Sequence, residues 1–373
     1  MYKNPGKMMP IQYISLFSGA GGLDEGLHGA GYTPLFCCEI DKYARSSLAN
    51  WTTLRETKPI IWDDVTTVNL DTLKTELNLK PGELPLLAGG PPCQSFSLIG
   101  KRGSIDDDRG QLLYQMVRFA KEFLPKVVLV EQVKGLKSAK GADGKAGGAL
   151  SFLLDEFHEL GYLTSVKILK TSDYGVPQHR ERLFIVASKS ERFDFPHKTH
   201  GAAPIDEGSL FTNETKPYVT VGEALAGLPK IVKKGEAPAI AGHVDITPQR
   251  DVERISGVPE GDFLARQMNL PAEQRMRLNP KKDTTKFRRL AFDLPSLTLR
   301  CGEAFYHPIE NRYLSPREYM RIHGFSDDQC LVGPIRGRTG TVRNLDQHRQ
   351  VANAVPPLIA KILGENLRDQ YFS

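Results

Sequence analysis

Gly89-Gly90-Pro91-Pro92-Cys93-Gln94-Ser95 places a cysteine at the exit of a rigid turn, directly after the apolar run LPLLA. Two glycines and two prolines force an exposed reversal that presents the sulfur, although a lone cysteine is ordinarily a small buried hydrophobe. A thiol needs only modest activation to become a strong nucleophile near neutral pH, which makes Cys93 the candidate for covalent chemistry. The following stretch, SLIGKRGSIDDDRG, is polar, has glycines at 100, 103 and 110, and has the composition of a lid. Glu131 ends the most apolar strand, VVLVEQV, where a carboxyl group suits a general acid; a plain ion pair with Lys134 is the competing reading. In Gln178-His179-Arg180-Glu181-Arg182, strand alternation puts Arg180 and Arg182 on one side, where salt-bridging to Glu181 or to the sheet edge is the ordinary use of one of them.

A second constellation lies near the N-terminus. Phe17-Ser18-Gly19-Ala20-Gly21-Gly22 follows the strand YISL and opens a helical pattern, so the glycines let a ligand approach the backbone and a helix N-terminus offers unpaired amides. By itself such a turn is weak evidence. Glu39 ends the next apolar strand, FCCEI, where a carboxylate can accept from both hydroxyls of a ribose, and Asp64 in DDVT follows the strand after that, near a purine edge. Read singly, either acid is a surface residue or a helix cap. Their order along successive strand ends points to a nucleoside site.

Positioning these groups requires strands that all bring their carboxyl ends to one edge. Strand-like and helical segments alternate through the first 190 residues, the pattern of an α/β, doubly wound, mostly parallel sheet. The rhythm breaks after Ser188. Residues 191–299 are rich in proline and poor in long apolar runs, and they predict a smaller irregular domain; residues 300–373 end in the helical pattern VANAVPPLIAKILGENLRDQ, which would pack back on residues 1–190. Residues 264–300 carry nine Lys or Arg against three acids, a basic face within that smaller domain.

Composition narrows the classes. The 373 residues are 40% hydrophobic and 25% charged, a globular balance, and the net charge of +5 leans weakly toward a polyanionic partner. Five cysteines without metal-ligand spacing read as reduced thiols, with no disulfide framework and no metal site expected. No run approaches the roughly 18 apolar residues of a membrane span, so no membrane role and a bacterial cytoplasmic or nucleoid location are expected.

The motifs, taken in order, closely resemble the DNA (cytosine-5) methyltransferases, and the resemblance runs across almost the whole chain. It implies a Rossmann-like core that binds S-adenosylmethionine and a target-recognition domain at 191–299. Phe17, Ser18, Gly19, Gly21, Gly22 and Leu23, with Glu39 and Ile40, match the cofactor turn and its acid. Asp64 and Val65 match the adenine-side contact, and Pro91 of the nucleophile turn, Leu112 after DDDRG, and Asn353, Ala354 and Val355 in QVANAVPP complete the cofactor pocket. NRYLSPREYMRIHGF is similar to the motif that organises the recognition domain. The implied chemistry is addition of Cys93 to carbon 6 of a flipped-out cytosine, with Glu131 at N3 and the exocyclic amine and Arg182 at O2. Gln94, Ser97, Lys101 and Arg102 are candidate DNA contacts, as are Arg180, Arg288 and Arg289, with Arg180 also read as a support for the sheet. Double-stranded DNA is the expected partner, and a monomer is expected. A cognate restriction endonuclease and a solitary modification role both stay open.

Two positions depart from the family pattern: Gln132 stands where Asn is usual, and Ala352 where Gly is usual. Two rival readings remain. One is a transfer-RNA cytosine methyltransferase of the same architecture, against which the long insert before RYLSPRE argues. The other is a DNA-binding regulator without catalysis, against which the presence of Cys93, Glu131 and Arg182 argues.

Overall fold

The computed structural model describes residues 10–92, 110–139, 145–202, 215–266, 270–275, 287–336 and 344–373. Seven strands form the central sheet: β1 (Ile11–Leu16), β2 (Tyr32–Cys38), β3 (Ile60–Trp62), β4 (Leu86–Gly89), β5 (Val127–Val133), β6 (Leu163–Lys170) and β7 (Glu181–Ser188). Their order is β3-β2-β1-β4-β5-β7-β6. The pairs β3-β2, β2-β1, β1-β4 and β4-β5 are parallel, whereas β7 runs antiparallel to both β5 and β6. The strand order reverses between β1 and β4, so the carboxyl ends of these two strands open the crevice where ligands of such sheets bind. The FSGAGG turn and the described residues Gly90 to Pro92 both leave from that edge.

Helices cover both faces; α2 (Lys42–Leu54) follows β2 and α3 (Leu70–Leu77) follows β3, and apolar patterns place the others. α1 (Gly22–Gly29) and α10 (Pro357–Tyr371) pack one face with Leu27, Ile359, Leu363 and Leu367; α4 (Gly110–Phe123) and α5 (Gly148–Glu159) pack the other with Met116, Phe119, Leu153 and Phe157. β5 is buried from Val127 to Gln132, as a strand covered on both faces must be. Small residues let α1 and α10 meet closely: a Cβ on Gly26 would lie 2.3 Å from the Pro357 carbonyl oxygen. The C-terminal helix thus returns to the N-terminal part of the sheet.

Beyond Ser188 the described strands are two-residue pairings: 200–201 with 216–217, 232–233 with 244–245, 288–289 with 305–306, and 296–297 with 178–179. Two small cores hold this region. Val221 of α6 (Val221–Leu225) joins Leu290, Leu299, Phe305 and residues of α8 (Pro316–His323), while Ile255 of α7 (Gln249–Ser256) joins Val258, Leu264, Ala304 and Tyr306. α8 begins with a reciprocal cap between Ser315 and Glu318, has proline at its first position and ends at Gly324 with φ 87°, all readable in SPREYMRIHG. Among the described residues, no helix is long and apolar enough to cross a membrane.

Candidate active site

The glycine turn after β1 is strained and open. Phe17, with φ 58°, adopts a conformation that costs an aromatic residue about 1–2 kcal/mol, the kind of strain that clusters at ligand sites. Gly19 also has positive φ and faces open space, so a Cβ there would fill the cradle and not the core. Ser18 N–H donates to the Cys38 carbonyl and the Ser18 hydroxyl to Ser15, which pins the turn to β1 and β2. From the other end of the chain, buried Gln329 donates to the Ala20 carbonyl at 2.8 Å.

Glu39, just past β2, accepts from Gly19 N–H at 2.7 Å and Asp41 N–H at 2.8 Å, one bond to each carboxylate oxygen. Burial pushes its carboxyl above the ordinary range, partly offset by these two donors. A carboxylate has about four lone-pair sites, so room remains for two hydroxyl donors. From the next residue, Ile40, opens a cleft of about 480 Å³, lined also by Lys42, Arg45, Asp63, Asp64, Thr67 and Asn344. That size suits a nucleoside. Asp64 also caps the short turn Val65–Thr67 by accepting from Thr66, and Arg118 of α4 holds the same turn through the carbonyls of Val65 and Val68. A bound S-adenosylmethionine would fit these residues: an open glycine cradle, a buried acid with spare acceptor sites and a cleft that carries Asp64.

At the carboxyl end of β5, Glu131 is buried, and Arg182, near the start of β7, brings its Nε to 2.8 Å from Oε1. Antiparallel pairing sets Val133 opposite Arg182 and Glu131 opposite Phe184, which makes Glu131 and Arg182 diagonal neighbours on one face. The approach is an ion pair off the line of a hydrogen bond, and Glu131 Oε1 has no hydrogen-bond partner. Gly90 lies against the same carboxylate, since a Cβ there would stand 3.3 Å from Oε2. Gln132 donates to the Pro91 carbonyl, tying the end of β5 to the turn that leads into Cys93. Lys134 pairs with Glu181 and leaves Glu131 to Arg182, so the Lys134–Glu131 pair is replaced by this arrangement.

The sequence of the whole chain decides the class of this site. Residues 11–369 match the family of C-5 cytosine-specific DNA methylases. The chain belongs to that family. It is a DNA cytosine-5 methyltransferase built on a core of the S-adenosylmethionine-binding type. The type II methyltransferase M.PspPI of Psychrobacter is 35% identical over 94% of this chain and 77% of its own, and M.Eco47II of Escherichia coli is 33% identical over 95% and 78%. A solved E. coli structure, described as a prophage-encoded DNA modification methyltransferase, shares the fold with a TM-score of 0.66 at 24% identity, covering 96% of this chain and 99% of that one.

The methylase's remaining candidates fall into three groups. Cys93, Gln94, Ser97, Lys101 and Arg102 lie outside the described residues. Gly22, Leu23, Val65, Leu112, Ala354 and Val355 pack in or against the core; Gly22 meets Ala354 and Val355 so closely that a Cβ would stand 2.4 Å from the Val355 carbonyl oxygen. Asn353 ends α9 (Gln347–Asn353), is exposed, and accepts from the Cys301 thiol.

Two arginines differ from the expectation of DNA contacts. Arg180 is 1% exposed and donates to the carbonyls of Leu299 and Ala354, where burial and the like charge of Arg182 push its pKa down. Arg289 is 6% exposed and donates to Pro308, Ile309, Ile255 and Asn311. Both serve as internal ties, because a buried guanidinium must spend its donors on protein carbonyls. Arg288 is half-buried over the Phe263 ring.

Sequence reasoning missed Arg118, Gln329 and the partner of Gln132. Their signal was faint, since each acts on a backbone carbonyl between 41 and 309 positions away. It also left the other cysteines unranked. Burial raises the thiol pKa of Cys37 and Cys38 and makes both poor nucleophiles.

Proposed function

We propose that this methylase transfers a methyl group to carbon 5 of a cytosine rotated out of duplex DNA, with a transient covalent bond between Cys93 and carbon 6. The observation that carries the reading is the pair Glu131–Arg182: a buried acid with an unpartnered oxygen, held beside a cation, next to the turn that leads to the only motif-matched thiol. Carbon 5 is a poor nucleophile until a thiolate adds to carbon 6 and the ring becomes an enamine. Glu131 hydrogen-bonds N3 and the exocyclic amine as charge develops there, and Arg182 holds O2. S-adenosylmethionine supplies the electrophilic sulfonium methyl. A base or water then removes the carbon 5 proton, and the Cys93 sulfur leaves with the electron pair of its bond to carbon 6.

Glu39 would take the ribose hydroxyls, Asp64 and Ile40 the adenine side, and Phe17 to Gly22 together with Asn353 the remainder of the cofactor. A stacked duplex hides carbon 5, so the base must leave the stack at a cost of roughly a few kcal/mol. The 191–299 region is assigned to target recognition; the packing of Ala304 and Tyr306 against Ile255 extends that lobe a few residues past 299.

The test uses duplex DNA containing 5-fluorocytosine at the modified site, which bisulfite sequencing of DNA from expressing cells would first locate. With the methyl donor present, wild-type protein is expected to be trapped covalently on the DNA. Cys93→Ser is expected to abolish both trapping and methylation. Methylation of transfer RNA in place of DNA, or no trapped adduct, overturns the proposal.

A further inference from the structure

The chain leaves the smaller lobe by pairing Ser296 and Leu297 with Gln178 and His179. At Leu299 the backbone N–H donates to Gln178 Oε1 at 3.2 Å, and the carbonyl accepts from Arg180. Two residues later the Cys301 thiol reaches Asn353 Oδ1 at 2.9 Å. Asn353 immediately precedes the two residues that press on Gly22 of the cofactor turn. The next carbonyl, Ala354, is held by His323 Nε2 at 2.9 Å and by Arg180 at 3.2 Å. Gln178 donates to His323 Nδ1, which sets the tautomer with hydrogen on Nε2.

The backbone around Asn353 is therefore fixed by buried donors, and its side-chain amide has a single described partner, the thiol. An amide has two chemically opposite ends of nearly equal shape, and only its hydrogen-bond partner decides which end faces which way. We propose that Cys301 is a positioning residue for the cofactor pocket, whose thiol donates to Asn353 Oδ1 and so leaves the amino end of that amide available to a carboxylate of the methyl donor. This rests on the proposed placement of Asn353 in the pocket. Without the donor the amide is free to turn its oxygen outward, where it would repel a carboxylate.

The experiment compares wild type, Cys301→Ser and Cys301→Ala by calorimetric titration with S-adenosylmethionine and with S-adenosylhomocysteine, without DNA. Cys301→Ala is expected to weaken both about tenfold, the size of one lost hydrogen bond to a charged group. Cys301→Ser keeps an O–H donor and is expected within about threefold of wild type on the same scale. In turnover assays the alanine variant should raise KM for the cofactor and leave kcat and KM for DNA nearly unchanged. Wild-type affinity in Cys301→Ala, equal weakening in Cys301→Ser, or a fall in Tm that accompanies the loss would each overturn the inference. A wild-type protein that binds neither compound would instead overturn the proposed placement of the cofactor.

Discussion

The sheet edge and the smaller lobe solve the problem of buried polarity in opposite ways. At the edge, backbone ladders place the chain, so side chains can be left incompletely paired: Glu131 and Gln132 each keep a buried oxygen without a hydrogen bond. In the smaller lobe the pairings are two residues long, and side chains take over the work of a ladder. Arg289 binds four acceptors there, and at its boundary Arg317 donates to the carbonyls of Ala241, Ser326 and Gln329. Unpaired polar atoms are costly; that of Glu131 lies where a ligand would complete it, whereas Arg289 Nε and Asp24 Oδ2 stay unpaired within the framework. A charged residue in the irregular lobe is therefore as suspect of being structural as of being functional.

Substitutions can sharpen or break this contrast. Glu131→Gln should lower kcat by about 10³-fold while leaving Tm within about 2 °C, because it removes charge and proton from the reacting edge and not from the framework. A comparable loss of Tm would show that the edge is structural after all. Arg289→Ala should do the reverse, costing about 3 kcal/mol in denaturant unfolding by leaving buried carbonyls without donors. Its DNA affinity should keep the same salt slope, whereas loss of a phosphate contact would reduce that slope by about 1.

Asp24 tests the first turn of α1, just behind the glycine turn. It is fully buried under Tyr13, one oxygen lacks a partner, and burial raises its carboxyl from 3.8 to about 6. The folded state therefore holds a proton that the unfolded chain releases between these values. Stability should fall as pH rises from about 4 to about 6, by up to about 3 kcal/mol, and the loss should be complete above that window. Asp24→Asn should flatten the curve measured by urea unfolding against pH. Smallest of all, Gln132→Asn shortens the side chain by one methylene and loses the bond to Pro91; activity should survive with kcat down about fivefold, the worth of about 1 kcal/mol. A rise of a hundredfold would mean that Gln132 hinders the nucleophile turn.

Much of the sheet edge was legible because strand-end residues announce themselves. FSGAGG, Glu39 and Glu131 each follow an apolar run, and a parallel sheet gathers such ends by its topology. The ties were not legible. Arg118 looks like any helix arginine, yet it reaches back about 50 positions to two carbonyls. Arg289 sits in a basic run whose charges imply a solvated face, and burial of one member depends on Asn311 and on carbonyls from 255 and 308–309 arriving beside it. Pattern along the chain predicts direction and exposure of regular elements; it carries little about which distant carbonyl will need a donor.

The reversed direction of β7 has one more effect. Because Ser188 pairs with Val127, the chain exits the sheet at the end remote from Glu131, then doubles back through Phe193 and Phe195 until Thr199 bonds Asp173. Its homeward crossing, at Ser296, is sewn to Pro177. Both seams lie within five residues of each other and upstream in sequence of Arg182, so the lobe's entry and exit are tied to the segment that leads into the cation paired with Glu131.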